Sequence, residues 1–223
     1  MCLFKHVKDT LKAEKATLNT KDARNPIETI RCPHVDCPEH EMIFDYFVQF
    51  LQRNIKESID GHVNRPIKEK NFAKDAKTFS ELERVVFYED LTFEKKVRLL
   101  SIPTIDRIRH FLTDLFTFTT VKAETIVYQI IILRRFMKYS QWSLRAANWR
   151  SLIITSLRVA LKLEQNLVVS TKVLSHVYPL FKPEEYVKCE NAFLKILNWD
   201  LWVSTEQYMA QLSSALRTKP SAQ

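Results

Sequence analysis

The chain has 223 residues, 46% of them apolar, and a net charge of +8, which is enough for one domain with a proper core and an extension. It contains a single glycine, Gly61; folds built on repeated tight turns or phosphate-cradling loops need glycine where φ is positive or the backbone must approach closely, so doubly wound nucleotide folds and P-loops are excluded and an all-α architecture is predicted. Lysines and arginines are interspersed with acids and form no long basic run, so the positive balance reads as solvated helix faces and no nucleic-acid partner is expected. Four cysteines, Cys2, Cys32, Cys37 and Cys189, are too sparse for a disulfide framework. The longest apolar run, Ile126 to Leu133, falls well short of the ~20 residues that span a bilayer. These features predict a soluble, intracellular protein, cytoplasmic or nuclear, neither secreted nor transmembrane.

Residues 1–38 are polar and basic and read as a loosely ordered arm. Within it and just beyond, Cys32, His34, Cys37 and His40 are all competent zinc ligands. Their spacing is that of no standard finger, and Pro33 and Pro38 make the segment read as an extended turn leading a helix, so no metal and no cofactor is expected. Residues 39–103 form a helical extension and connector. Glu39 to Ile55 predicts an amphipathic helix, with Met42, Ile43, Tyr46, Phe47, Phe50 and Leu51 at three- and four-residue steps. That row would form an aggregation-prone patch if left bare, so the helix is expected to dock on the outside of the main core and to contribute to partner binding. Residues 57–78 turn polar around Gly61 and Pro66. Ser80 then predicts the cap of a short helix with Glu81 and Glu83 in its first turn and Leu82, Val85, Val86 and Phe87 as its apolar residues. A further short piece spans residues 89–103.

From residue 104 to 216 the pattern is regular. Pro103-Thr104-Ile105-Asp106 opens a helix with Ile108, Phe111, Leu112, Leu115 and Phe116. A second runs from Ala123 to Tyr139; its β-branched run Ile126 to Leu133 resembles a strand in isolation, but the unbroken continuation through Arg134 to Tyr139 decides for a buried helix. A third, Ala147 to Glu164, is apolar on nearly every side and reads as a buried central helix, with Lys162 at its far end. A fourth, Ser170 to Tyr178, is short. The fifth starts at Pro183 with Glu184 and Glu185 in its first turn, where the dipole favours acids, and carries Glu190 midway. Tyr208, Met209, Leu212 and Leu216 predict one more helix at the end of the chain.

Five short-linked helices, with a lysine ending the third and a glutamate within the fifth, resemble a cyclin box, and the detailed pattern is similar to the cyclin Y group. The resemblance rests on Ala123-Glu124, Ala147-Asn148-Trp149-Arg150, Ala160-Leu161-Lys162, Glu190 followed by Phe193-Leu194-Lys195-Ile196-Leu197, the tail Asn198-Trp199-Asp200-Leu201-Trp202-Val203, and Tyr208. It covers about residues 104–212. It implies a single cyclin box flanked by an N-terminal and a C-terminal helix, and a non-catalytic regulatory subunit that binds and activates a cyclin-dependent kinase of the PCTAIRE or PFTAIRE type in the cell cycle. In that family the lysine and glutamate matched by Lys162 and Glu190 approach the kinase backbone beside its C-helix, and a lysine with three donors and a carboxylate with several acceptor sites suit orphan backbone groups at a helix end.

Three departures from the group stand out. The stretch Thr104-Ile105-Asp106-Arg107-Ile108 lacks the MRAIL-type patch with which many cyclins dock substrates. Position 2 is Cys2, where the group often has a myristoylated glycine; beside Leu3 and Phe4, Cys2 is a candidate for acylation. Acidic residues that follow the lysine in the group are replaced by Leu163-Glu164-Gln165-Asn166, which leaves the choice of kinase open. The alternative is a cyclin-fold structural or adaptor subunit without kinase activation. Enzyme readings are weakest, because the six histidines fall in no nucleophile or metal-hydrolase pattern; His110 and His176 read as ordinary helix residues and Cys189 as a small core residue.

Overall fold

The computed structural model describes residues 38–60, 77–87, 89, 91–140 and 143–217. Every regular element among them is a helix, in the order α1 (Pro38–Asp60), α2 (Leu82–Phe87), α3 (Phe93–Leu100), α4 (Ile105–Thr119), α5 (Ala123–Ser140), α6 (Trp149–Glu164), α7 (Thr171–Val177), α8 (Pro183–Ile196) and α9 (Thr205–Arg217). The all-α prediction holds. Of the Cys32, His34, Cys37 and His40 quartet, the first three lie outside the described residues and His40 is buried in α1. Among the described residues no helix alone is long and apolar enough to cross a membrane.

Helix α6 is the axis of the fold. All thirteen residues from Trp149 to Leu161 are buried, so the expectation of a helix enclosed on all sides is met. It packs on α5 and α8. The β-branched run of α5 is helical: Ile126, Val127, Ile130 and Ile132 are shut into the core. Here tertiary burial overrides local strand preference, because each branched side chain meets a neighbouring helix. Phe136 of α5 stacks on Phe193 of α8, centroids 4.5 Å apart, and takes Phe79 edge-on at 5.7 Å. Phe111 of α4 meets Trp149 of α6 edge-on at 5.0 Å.

Helix boundaries have local causes. Thr104 accepts a hydrogen bond from the Arg107 amide and caps α4. Pro183 opens α8, and Glu185 reaches back to the Lys182 amide at 2.8 Å. Helix α8 ends in a Schellman closure: the Trp199 amide donates to Leu194 O and the Asn198 amide to Lys195 O, each at 3.0 Å. Asn198 and Trp199 both have positive φ, 50° and 59°. Asparagine accepts that region readily; tryptophan does so at a cost, and Asp200 next to it is pinned by Arg135 at 3.0 Å and Tyr139 at 2.8 Å.

Helix α1 docks outside the core, against α4, α5 and α9, as its apolar row predicts. Ile43, Phe47, Val48, Phe50, Leu51 and Ile55 are buried, whereas Met42 is only half-buried, and the helix continues past Ile55 to Asp60. The apolar residues of the short helix after Ser80 divide between core and surface: Leu82 and Val86 face solvent and Val85 is buried, while Glu81, just ahead of the helix, is completely enclosed. A six-residue helix can bury only one narrow strip, and the carboxylate takes the inward position because partners wait for it there. In α9, Met209 and Leu216 are exposed, Tyr208 and Leu212 pack partly on the core, and the enclosed residues are Gln211 and Ala215. Small and polar side chains let α9 lie close on α1 and α5.

Leu157 is buried at the centre of α6. Replacing it with alanine should cost about 2–5 kcal/mol and lower the melting temperature by roughly 5–15 °C, measured by far-UV circular dichroism; a shift under 2 °C would show that α6 is not the packing axis.

Candidate functional site at the ends of the buried helix

The structure brings the two sequence-predicted site residues together. Lys162 closes the last turn of α6, where the helix dipole favours a cation. Its Nζ donates to Glu190 Oε1, the carboxylate projecting from α8. Lys162 keeps 34% of its side chain exposed, while Glu190 keeps 11%. Glu190 is therefore no solvated helix residue: it lies on the buried face of α8 with Tyr186, Cys189 and Phe193.

A third member of the site escaped the sequence reading. Arg158, one turn before Lys162 on the same face of α6, places Nη2 3.0 Å from Glu190 Oε2 with its side chain 6% exposed. One carboxylate thus lies between two cations, a separate oxygen for each. A signal was available: an arginine four residues before the site lysine, within a helix read as buried all round, needs an anionic partner, because an enclosed unpaired guanidinium is too costly to keep.

The opposite end of α6 is held by a second buried carboxylate. Glu81 Oε1 accepts the Ser151 amide at 3.1 Å, and Oε2 accepts Arg150 Nη1 at 3.0 Å and the Tyr178 hydroxyl at 2.7 Å. The Glu81 amide donates to Ala147 O, and the Ser151 hydroxyl to Phe79 O at 2.7 Å. The Asn148 side chain, at the N-cap position, makes no cap bond with α6; it accepts the Arg145 amide. The cap is instead supplied by Glu81, seventy residues away in sequence from the amide it receives, and it sits where the helix dipole favours negative charge.

Burial sets the titration of the groups around these pairs. Burial pushes the Cys189 thiol up to about 12, Arg84 pulling slightly the other way, so it is an inert core thiol as expected. Burial raises the Tyr178 hydroxyl strongly, reinforced by the Glu81 carboxylate beside it, and burial likewise raises Tyr186. His110 and His176 lie on exposed helix surface, beside Asp114 and Lys172 O respectively. Among the described residues no cluster of three or more His, Cys, Asp or Glu side chains is placed to hold a metal ion.

Residues 79–202 match the family model of the cyclin N-terminal domain. The chain belongs to the cyclin family. No curated protein and no solved structure matches it. The matched span of the cyclin takes in α2 to α8 and carries Glu81, Arg150, Arg158, Lys162 and Glu190 together. Cyclin domains are generally non-catalytic regulatory modules that bind cyclin-dependent kinases, and a cyclin-type regulatory role follows for this chain.

Two outcomes are expected from these environments. Glu81→Ala would leave Arg150 and Tyr178 enclosed without their acceptor and should cost about 3–5 kcal/mol, read as a fall in the urea midpoint. Above pH 9 stability should decline. An unfolded thiol titrates near 9.0 and the folded Cys189 near 12, so the folded state holds a proton that the unfolded state gives up. Its contribution is full below pH 9 and lost between pH 9 and 12, and the two buried tyrosines add to the loss from pH 10 upward. Cys189→Ala should remove the part of the decline that begins at pH 9; melting temperatures that rise with pH through this window would contradict the assignment.

Proposed function

We propose that this cyclin is the regulatory subunit of a cyclin-dependent kinase of the PCTAIRE or PFTAIRE type, cyclin Y-like in its partner surface, and that it acts in cell-cycle signalling. It would bind the small lobe of the kinase, press the C-helix inward and so complete the Lys–Glu pair that positions the ATP phosphates. The observation that supports this reading is the Lys162–Glu190 pair, held where α6 and α8 reach the surface. The lysine offers donors to carbonyl groups at the end of a partner helix, and Glu190 beside it keeps 11% of its side chain exposed. Helix α1 adds to the partner surface on this reading through the face left after packing, which carries Arg53, Lys56 and Glu57.

Lys162→Glu should leave the circular dichroism spectrum unchanged, because Arg158 still pairs with Glu190. It should weaken capture of the kinase by roughly 10–100-fold, the worth of a hydrogen bond to a charged group. Glu190→Lys is a poor test, since it would put three cations in one enclosed place; Glu190→Gln is the better one. Pull-downs in which Lys162→Glu and Glu190→Gln both bind as the parent does would remove these residues from the interface. A kinase that binds stoichiometrically with no gain in activity would favour an adaptor role.

A further inference from the structure

The geometry points to Arg158 as a positioning residue that takes over the whole Glu190 carboxylate when Lys162 is drawn away to a partner. This rests on the reading of Lys162 as a contact residue. The first observation is the division of labour within the triad. Lys162 and Arg158 are one helical turn apart on α6 and hold opposite oxygens of Glu190. Only Lys162 is within reach of another molecule, at 34% exposure against 6% for Arg158. A lysine that is to donate to a partner must release the oxygen it holds. Glu190 would then be an enclosed carboxylate with one oxygen stripped, an arrangement that strongly destabilises a fold unless another donor arrives.

The second observation is that Arg158 has donors in reserve. Its Nε and Nη1 are enclosed and find no acceptor among the described residues, while Nη2 alone is engaged. Buried donors are rarely left idle, and each such case calls for a reason. A guanidinium presents its N–H groups as a planar fork that matches the two oxygens of a carboxylate. With Lys162 gone, a small rotation lets a second arm of the fork close on Oε1, turning a single bond into a bidentate pair. The neighbours offer no rival acceptor of equal charge: Glu185 is held by Arg84 Nη2 at 2.8 Å, and Glu81 is taken by Arg150, Tyr178 and the Ser151 amide at the far end of α6. Idle donors in the free protein are thus the capacity used in the bound one. A lysine at position 158 would lack the fork.

A thermal-melt cycle on the full chain at pH 7 tests the take-over without any partner. Lys162→Met and Arg158→Met should each melt within a few degrees of the parent, because one cation still serves Glu190. The double variant strands the carboxylate and should lose about 10 °C or more beyond the sum of the two single shifts. Restoring neutrality with Glu190→Gln in the double variant should recover most of that loss, which a purely steric role for Arg158 would not allow. Additive shifts, collapse of either single variant, or no recovery with glutamine would each overturn the proposal. A second arm uses a purified PCTAIRE-type kinase as probe. Arg158→Met should weaken its binding roughly tenfold, since Lys162 must then stay on Glu190. Equal binding by the parent and Arg158→Met overturns the role at the interface, whereas equal binding by the parent and Lys162→Glu sinks the contact reading itself and leaves the melt cycle to decide the take-over.

Discussion

The Glu81 carboxylate at the start of α6 is the interaction on which the rest of the structure depends. A helix enclosed along its length cannot satisfy its first amides with water, and the four free N–H groups at its start need acceptors from elsewhere in the chain. Glu81 meets the Ser151 amide and the Arg150 guanidinium together, and Tyr178 joins from beyond α6. Three segments distant in sequence are thereby fixed to one carboxylate: the stretch before α2, the start of α6 and the end of α7. The family match begins at Phe79, whose carbonyl accepts the Ser151 hydroxyl two residues before Glu81. The segment ahead of the five box helices is thus bound into the same core.

Buried ion pairs are weak devices for raising stability, because desolvating both charges offsets most of their attraction. Their value here is register. Helix α6 is apolar enough to slide or rotate in a greasy environment with little penalty, since one branched aliphatic face packs nearly as well as the next. Arg150 and Arg158 remove that freedom. They are eight residues apart, about 12 Å along the axis, and each meets a carboxylate from a different element, Glu81 before α2 and Glu190 on α8. Shifting α6 by one turn would break the Arg150–Glu81 pair, enclosing both charges uncompensated, and would leave Glu190 with one of its two cations.

The helices were legible in the sequence because their signals are local and redundant. The scarcity of glycine, the three- and four-residue spacing in α1 and α4, and Pro183 with its two following acids each point to the same element that the structure shows. Lys162 and Glu190 were singled out through their family resemblance, and the structure places them side by side. Glu81 and Arg158 were not legible, for a shared reason: glutamate and arginine are almost never fully buried, so each taken singly reads as surface. What overturns that prior is a long-range partner. Glu81 pairs with a residue 69 positions away, a separation to which periodicity is blind. Arg158 was closer to being readable, since a charge inside a helix apolar on all sides already conflicts with its surroundings.

A regulatory subunit that moves a helix of another protein must itself yield less than the element it pushes. On the proposed reading the pushing surface is the corner where α6 meets α8, and three polar links stiffen that corner. Arg84 joins α2 to the first turn of α8 through Glu185 at 2.8 Å and lies over the Phe181 ring at 4.2 Å. The Tyr186 hydroxyl ties α8 to Tyr178 O at 2.8 Å, next to the Glu81 cluster. Arg158 then ties the middle of α8 to α6 at Glu190. Helix α8 is therefore fastened near its start and at its middle, and of the three charges that meet at Glu190 the Lys162 ammonium is the most exposed. A rigid frame with one mobile donor is what contact with a partner backbone requires: the frame sets where the partner helix must go, and the lysine supplies the bond that keeps it there.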